Sequence, residues 1–265
     1  VIENEILPQL LFSMTSHNRF FKKAACFVLT AIAKHSFKLA NELVKAGAIE
    51  PLINCLEDFD SSVKESATKA LGYISKHSES LANIIVQSRG IDNLILCLQE
   101  PEMNLKRASV QTLCYIASHN EYVSLPIAEK GLDVIMSYLP YSDIKLKRSV
   151  CMLLGSIAKH SVTLADKVIN KLNPQKLISC LSKNEDISVR KNAAFCLREL
   201  VNKNTLIAAL IVDNNGSQNL IDYVSSTVGE ARLNGIICLG SIASFKDDLA
   251  YTKINQIISN NAYTK

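Results

Sequence analysis

The sequence predicts an all-α solenoid, and three observations carry that prediction. A short phrase recurs: "AKHSFKLA" at Ala33–Ala40, "SKHSESLA" at Ser75–Ala82, "AKHSVTLA" at Ala158–Ala165 and a looser "ASHNEYVS" at Ala117–Ser124. Its histidines, His35, His77, His119 and His160, are spaced by 42, 42 and 41 residues, and the register runs on to Lys203 and Phe245. A period in the forties belongs to repeat architectures, where each unit buries its apolar side against its neighbours. Within a unit the apolar residues recur at helical spacing, and no stretch shows strand alternation, which excludes propeller blades.

The unit at residues 36–77 shows the elements in order. Ser36 is placed to cap the helix "FKLANELVKAG", which stops at Gly47, since a short side-chain oxygen satisfies first-turn amides and glycine suits the helix end. The second helix, "AIEPLINCLED", has Ile49, Leu52, Ile53 and Leu56 on one stripe, with Pro51 in the first turn, where its missing N–H costs nothing. The third and longest, "SSVKESATKALGYISKHS", aligns Val63, Ala67, Ala70, Leu71 and Ile74. Two short helices and one long one per unit are expected. The boundaries predicted are a partial repeat at 1–35, repeats at 36–77, 78–119, 120–160, 161–203 and 204–245, and a partial repeat at 246–265.

The residue after each aligned histidine position is Ser36, Ser78, Asn120, Ser161 or Asn204, all N-cap formers. The histidine therefore closes a long helix, and its imidazole suits the carbonyl-rich C-terminus there. Metal binding by the four histidines is excluded on geometry. Equivalent side chains on stacked helices sit about 8–10 Å apart, whereas zinc needs its ligand atoms within about 2.3 Å.

Bulk composition bounds the function classes. Hydrophobic residues make up 48% of 265, and the apolar runs are interrupted too often by Lys, Asn or Ser to cross a membrane. A net charge of +4 and a pI of about 8.5 fall short of a general nucleic-acid binder. The eight cysteines (26, 55, 97, 114, 151, 180, 196 and 238) include no C-x-x-C pair and lie among Leu, Ile and Ala. They are expected to be buried free thiols in a reducing compartment. The chain opens on Val1 and is expected to be a fragment of a longer protein. Its truncated ends would each expose a core face, so end-to-end association is an expectation too.

A three-helix unit of this length, with Gly between the first two helices and an acidic turn before the third, resembles the armadillo repeat. The loops "EDFD" at 57–60 and "QEPE" at 99–102 are further similar to the sperm-associated antigen six branch of that family, whose members belong to the ciliary and flagellar central apparatus. Departures occur where the fifth long helix ends "LVNKN" and the sixth "IASFK". The resemblance implies an armadillo-repeat right-handed superhelical solenoid without enzymatic activity or cofactor. It implies a protein-binding scaffold of the axoneme, supporting motility, and hence a location in cytoplasm, cytoskeleton and cilium. Other central-apparatus proteins and acidic tubulin tails are the partners it suggests, with neither nucleic acid nor membrane among them.

In such a stack the third helices line the binding face. One fixed position near the start of each gives Lys22, Lys64, Lys106, Lys147, Arg190 and Arg232, with Lys23, Arg107, Arg148 and Lys191 beside four of them. A cation in a first turn opposes the helix dipole, so the recurrence needs another cause. Two stand open. The ladder pairs internally with Asp60, Glu102, Asp143, Asp186 or Glu230 just before the long helices, or it is the candidate partner-binding rail for an extended acidic ligand. Adhesion and signalling scaffolds of the family bind acidic ligands with Lys rows and form the alternative reading. A nuclear-import receptor is disfavoured, because the chain has no Trp and carries Ala31, Tyr73, Tyr115, Ser156, Glu199 and Ser241 where the recurring Asn would stand. Tyr73 and Tyr115, one repeat apart, either form an aromatic ledge or pack against the next repeat.

An enzyme needs converging groups, and the sequence offers none. "GIICLGS" at Gly235–Ser241 mimics phosphate-loop spacing but lacks the Lys and reads as an apolar helix. Glu57 and Asp58 fall on a turn, and "NGS" at Asn215 is a sequon in spelling only.

Overall fold

The computed structural model describes residues 6–244, so Phe245 and the partial repeat expected at 246–265 lie outside the described residues. These residues are helical apart from loops and turns, with no strand among them. They fall into two compact units, one up to Ile135 and one from Met136.

The first unit contains α1 (Ile6–Met14), α2 (Arg19–His35), α3 (Phe37–Lys45), α4 (Ile49–Cys55), α5 (Ser61–Lys76), α6 (Glu79–Gln87), α7 (Gly90–Gln99), α8 (Met103–Ala117) and α9 (Glu121–Ser137). The caps explain the boundaries. Ser36 and Ser78 accept from the amides of Leu39 and Leu81, both at 3.3 Å, and Asn120 accepts from Val123 at 3.0 Å. Gly47 breaks α3 from α4 at φ 83°, and Arg89 does the same between α6 and α7 at φ 62°, a left-handed conformation that favours glycine. The long helices α2, α5 and α8 pack side by side. Beneath them Leu52, Leu71, Ile74, Leu81, Ile85, Leu94, Leu98, Leu105 and Leu113 are all essentially inaccessible, each contributing about 1.5–3 kcal/mol by burial.

The second unit contains α10 (Ile144–Ala158), α11 (Val162–Lys171), α12 (Pro174–Ser179), α13 (Ile187–Val201), α14 (Thr205–Asp213), α15 (Gly216–Ser226), a 3₁₀ turn (Gly229–Arg232) and α16 (Leu233–Ser244). Ser161 and Asn204 cap α11 and α14 as expected, at 3.2 and 2.9 Å. Asn173 caps α12, with Pro174 at its first position. Here α10, α13 and α16 form the layer of long helices. "GIICLGS" lies in α16, where a Cβ on Gly235 would stand 2.8 Å from the Tyr223 ring. That glycine is a packing device.

Two elements differ from the expected pattern. In residues 120–160 the two short helices are fused as α9, with Pro126 inside it. Lys130 occupies the position of the left-handed Gly47 and Arg89, yet it stays helical, and its ammonium pairs with Asp92 of α7 at 2.6 Å. The last long helix opens as a 3₁₀ turn after Gly229, at φ 63°, and the Tyr223 hydroxyl donates to the carbonyl of Ala231 within that turn.

Candidate functional site

Four of the ladder cations, Lys22, Lys64, Lys147 and Arg190, reach the next repeat, and Arg232 bonds within its own. Lys22 Nζ meets Asp58 Oδ2 at 2.7 Å, Lys64 meets Glu100 Oε1 at 2.5 Å, and Lys147 meets Glu185 Oε1 at 2.5 Å. Arg190 donates from Nε to the Leu181 carbonyl at 3.0 Å and from Nη2 to Ser226 Oγ at 2.6 Å, and lies over the Tyr223 ring at 5.2 Å. Arg232 donates to the Thr227 carbonyl from Nε and Nη2, at 3.0 and 2.7 Å. Lys147 and Arg190 are buried, and Lys106 is half-buried. These lysines therefore cross the seam between repeats, which offsets the unfavourable dipole at their own helix ends.

The carboxylates that do the pairing are not those expected. Asp60, Asp143 and Asp186 accept from the amides of Ser62, Leu146 and Ser188 as N-caps, and Asp60 also pairs with Arg19, which lies outside the ladder, at 3.0 Å. Glu102 stands at the N-cap of α8 without a side-chain cap bond, and Glu230 lies in the 3₁₀ turn. The pairing carboxylates, Asp58, Glu100 and Glu185, sit one or two positions earlier, and Asp58 also accepts from the Asp60 amide at 2.9 Å with its other oxygen. Burial pushes the Asp58 carboxyl up, but hydrogen bonds from Lys22 and the Asp60 amide outweigh it and hold it below its ordinary value. The same bond raises Lys22.

The histidines act across the seam as well. His77 Nε2 lies 2.6 Å from the Ala33 carbonyl, and His119 Nε2 lies 2.6 Å from that of Ser75. A carbonyl only accepts, so each Nε2 carries the proton. Each imidazole thus satisfies the C-terminal turn of the preceding long helix, one repeat back from the helix it closes. Among the described residues no group of three or more His, Cys, Asp or Glu side chains is placed to hold a metal ion.

Also turned outward in the first unit is a column of alternating cations and aromatic rings. Lys34 Nζ lies 5.8 Å from the Tyr73 ring centre, Lys76 Nζ lies 5.3 Å from that of Tyr115, and the two rings are 6.3 Å apart. Both lysines are exposed and both tyrosines half-exposed, so the ledge and the packing readings of these tyrosines both hold in part. Lys23 and Lys69 are exposed on α2 and α5. Arg107 on α8 is half-buried and donates to Asn104 Oδ1 at 3.1 Å. Glu65, paired with Lys69, is the carboxylate among them. The sequence pointed to the tyrosines but not to their lysines. The signal was a second fixed position, three residues after Ala31, Tyr73, Tyr115 and Ser156, that carries Lys34, Lys76, Ser118 and Lys159.

In the second unit the corresponding surface is mixed. Lys191 is exposed and Arg148 half-buried. Arg198 pairs with Glu199 and stacks on Phe195 at 5.2 Å. Burial pulls Lys159 below the ordinary lysine value, with Glu199 acting against it.

Residues 38–76 match the family model of the armadillo/β-catenin-like repeat. A crystal structure of an engineered protein from the Northeast Structural Genomics Consortium is 24% identical with a TM-score of 0.87, covering 91% of this chain and 97% of that one. The designed armadillo repeat protein YIII(Dq)4CqI is 19% identical, covers 89% of this chain and 99% of its own, and has a TM-score of 0.85. A second design, YIII(Dq.V1)4CPAF, crystallised in complex with the peptide (KR)4, is 19% identical with a TM-score of 0.84, covering 89% of this chain and 98% of that one. A comparison with curated proteins gives no match. The chain carries an armadillo repeat at residues 38–76 and is built on the armadillo-repeat fold.

Proposed function

We propose that this chain is a non-enzymatic scaffold whose first unit holds an extended acidic segment of a partner protein across α2, α5 and α8. The observation that carries the reading is the Lys34–Tyr73–Lys76–Tyr115 column. An ammonium held over a ring gains about 0.5–1 kcal/mol at an exposed site, enough to orient it while leaving N–H groups for a ligand carboxylate. Lys23, Lys69 and Arg107 add positive charge around the column against Glu65. A design of the same fold is known in complex with the peptide (KR)4, whereas the positive charge of this face repels such a ligand. The ladder lysines hold the turns of the seam, and the flanking cations meet the partner.

The test is fluorescence anisotropy with a labelled peptide of alternating Asp and Glu. Lys34→Glu with Lys76→Glu is expected to weaken binding at least about tenfold, two reversed charges being worth more than 1.4 kcal/mol together, with unchanged circular dichroism. Equal affinity in the double variant overturns the reading.

The loop similarity at 57–60 and 99–102 supports placing the scaffold in the ciliary and flagellar central apparatus, a cytoskeletal location, with tubulin's acidic tails as ligands of the right charge. The chain is then expected to co-sediment with microtubules and to lose them when the tails are cleaved. Failure to co-sediment with intact microtubules removes this setting and leaves the peptide-binding test standing.

A further inference from the structure

The long helix α2 carries an exposed apolar stripe where α5 and α8 are polar. Phe20, Phe27, Ala31 and Lys34 are all exposed, Phe20 at 67% and Phe27 at 71%. Their spacings of 7, 4 and 3 put them on one side of the helix, over a length of about 21 Å. Lys23, three residues after Phe20 and four before Phe27, borders the same side and is exposed.

The repeat register separates this stripe from the faces that repeats use on each other. One repeat on, at 42 residues, Phe20 becomes Ser62 and Phe27 becomes Lys69, and a second step gives Asn104 and Gln111. None of these four is buried, although α5 is packed between α2 and α8. Positions that the stack covers behave differently. Phe21 becomes Val63 and Val28 becomes Ala70, both at 0% exposure. Phe20 and Phe27 therefore lie on the side that stays open when another repeat packs against the helix. Large apolar groups gathered on such a side mark a surface for a ligand.

The charge around the stripe selects that ligand. From Ile6 to Asn41 the chain contains no Asp or Glu. Arg19 and Lys22 pair with Asp60 and Asp58, which leaves Lys23 and Lys34 at the rim. Lys34 is also the first cation of the column, 5.8 Å from the Tyr73 ring centre, so one continuous surface runs from the two phenylalanines to the tyrosines. We propose that the stripe is the apolar part of this binding face, and that the partner segment carries bulky apolar side chains at one end of its run of carboxylates. This rests on the reading of the column as a site for an acidic segment. The carboxylates cross α2, α5 and α8, and the apolar end turns along α2 over Phe27 and Phe20. Apolar contact with the rings is driven by removal of surface from water, whereas the contacts at the column are screened by salt.

The experiment is fluorescence anisotropy with three labelled peptides: the octapeptide of alternating Asp and Glu, the same octapeptide preceded by Leu-Phe-Leu, and the same followed by Leu-Phe-Leu. One of the two extended peptides is expected to bind at least about tenfold more tightly than the plain one. Phe20→Ser with Phe27→Gln installs residues found at this register on α5 and α8. That double variant is expected to lose the margin while holding the plain octapeptide as before. Equal affinity of the unmodified chain for all three peptides, or a margin that survives in the variant, overturns the proposal and leaves the column reading standing. Lys34→Glu with Lys76→Glu is expected to weaken all three peptides and to keep the margin between them. If it weakens none, the column reading fails and takes the stripe's ligand with it. Binding to phosphatidylserine vesicles, or self-association in light scattering, that disappears in the phenylalanine variant without any peptide margin assigns the stripe to a lipid surface or a second copy, and overturns the proposal as well.

Discussion

Replacing Glu185 with alanine is expected to destabilise the second unit by about 2–3 kcal/mol, far beyond the 0–1 kcal/mol of a surface pair. The reason is what the substitution leaves behind. The Lys147 side chain is only 10% exposed, and Glu185, at 27%, is its ion-pair partner. The ammonium would have to remain buried and unpaired or drag its helix end into water. The expected figure sits below the full cost of a broken buried pair because Glu185 reaches solvent. Lys147→Met combined with Glu185→Leu removes both charges and is expected to return within about 1 kcal/mol of the parent. Urea denaturation of the single and double variants reads both numbers. A single variant that loses less than about 0.5 kcal/mol would make the seam pairs ordinary surface bridges.

Gly155→Ala is the second large effect, and it runs against local propensity. Alanine favours an α-helix over glycine by about 1 kcal/mol. A Cβ at Gly155 would stand 2.7 Å from Phe195 Cε1 and 3.0 Å from the Cα of Cys196. The ring can swing aside, but the backbone of α13 cannot, so α10 and α13 must separate. Overpacking of this kind costs about 1–3 kcal/mol, and we expect a net loss of about 2 kcal/mol. Gly240, at the equivalent position of α16, has nothing within 4 Å of an added Cβ. Gly240→Ala is therefore expected to stabilise by about 0.5–1 kcal/mol. Thermal melts of the two variants should move in opposite directions. Movement in the same direction would mean that helix propensity, and not contact between long helices, governs this position.

Much of the fold was legible because it depends on local chemistry that repeats. Ser36, Ser78, Asn120, Ser161 and Asn204 all cap the helices that follow them, since an oxygen one turn from bare amides has one dominant use. The fused helix α9 was not legible. Whether a residue turns left-handed at the junction depends on what its side chain can reach, and Lys130 has Asp92 to hold it. The ladder was visible as six cations at one position, but its partners were not. Asp60, Asp143 and Asp186 compete for amides in their own turns, so pairing fell to neighbours at a different position. Read alone, an N-cap carboxylate and an ion-pair carboxylate look the same. The histidines were assigned correctly to helix ends, but to their own helices and not to the neighbouring ones, because a sequence shows spacing along the chain and not across the seam.

Lys22, Lys64 and Lys147 thus pair across the seam, and the cations proposed to meet a partner are those stacked on Tyr73 and Tyr115. The most direct measurement compares two labelled octapeptides, one of alternating Asp and Glu and one of alternating Lys and Arg, titrated with the unmodified chain at about 0.1 M and 1 M salt. Screening shortens the electrostatic range from about 10 Å to about 3 Å between those conditions. The acidic peptide should bind and weaken sharply at high salt, while the basic one should not bind. Binding of the basic peptide, or acidic binding indifferent to salt, would contradict the account.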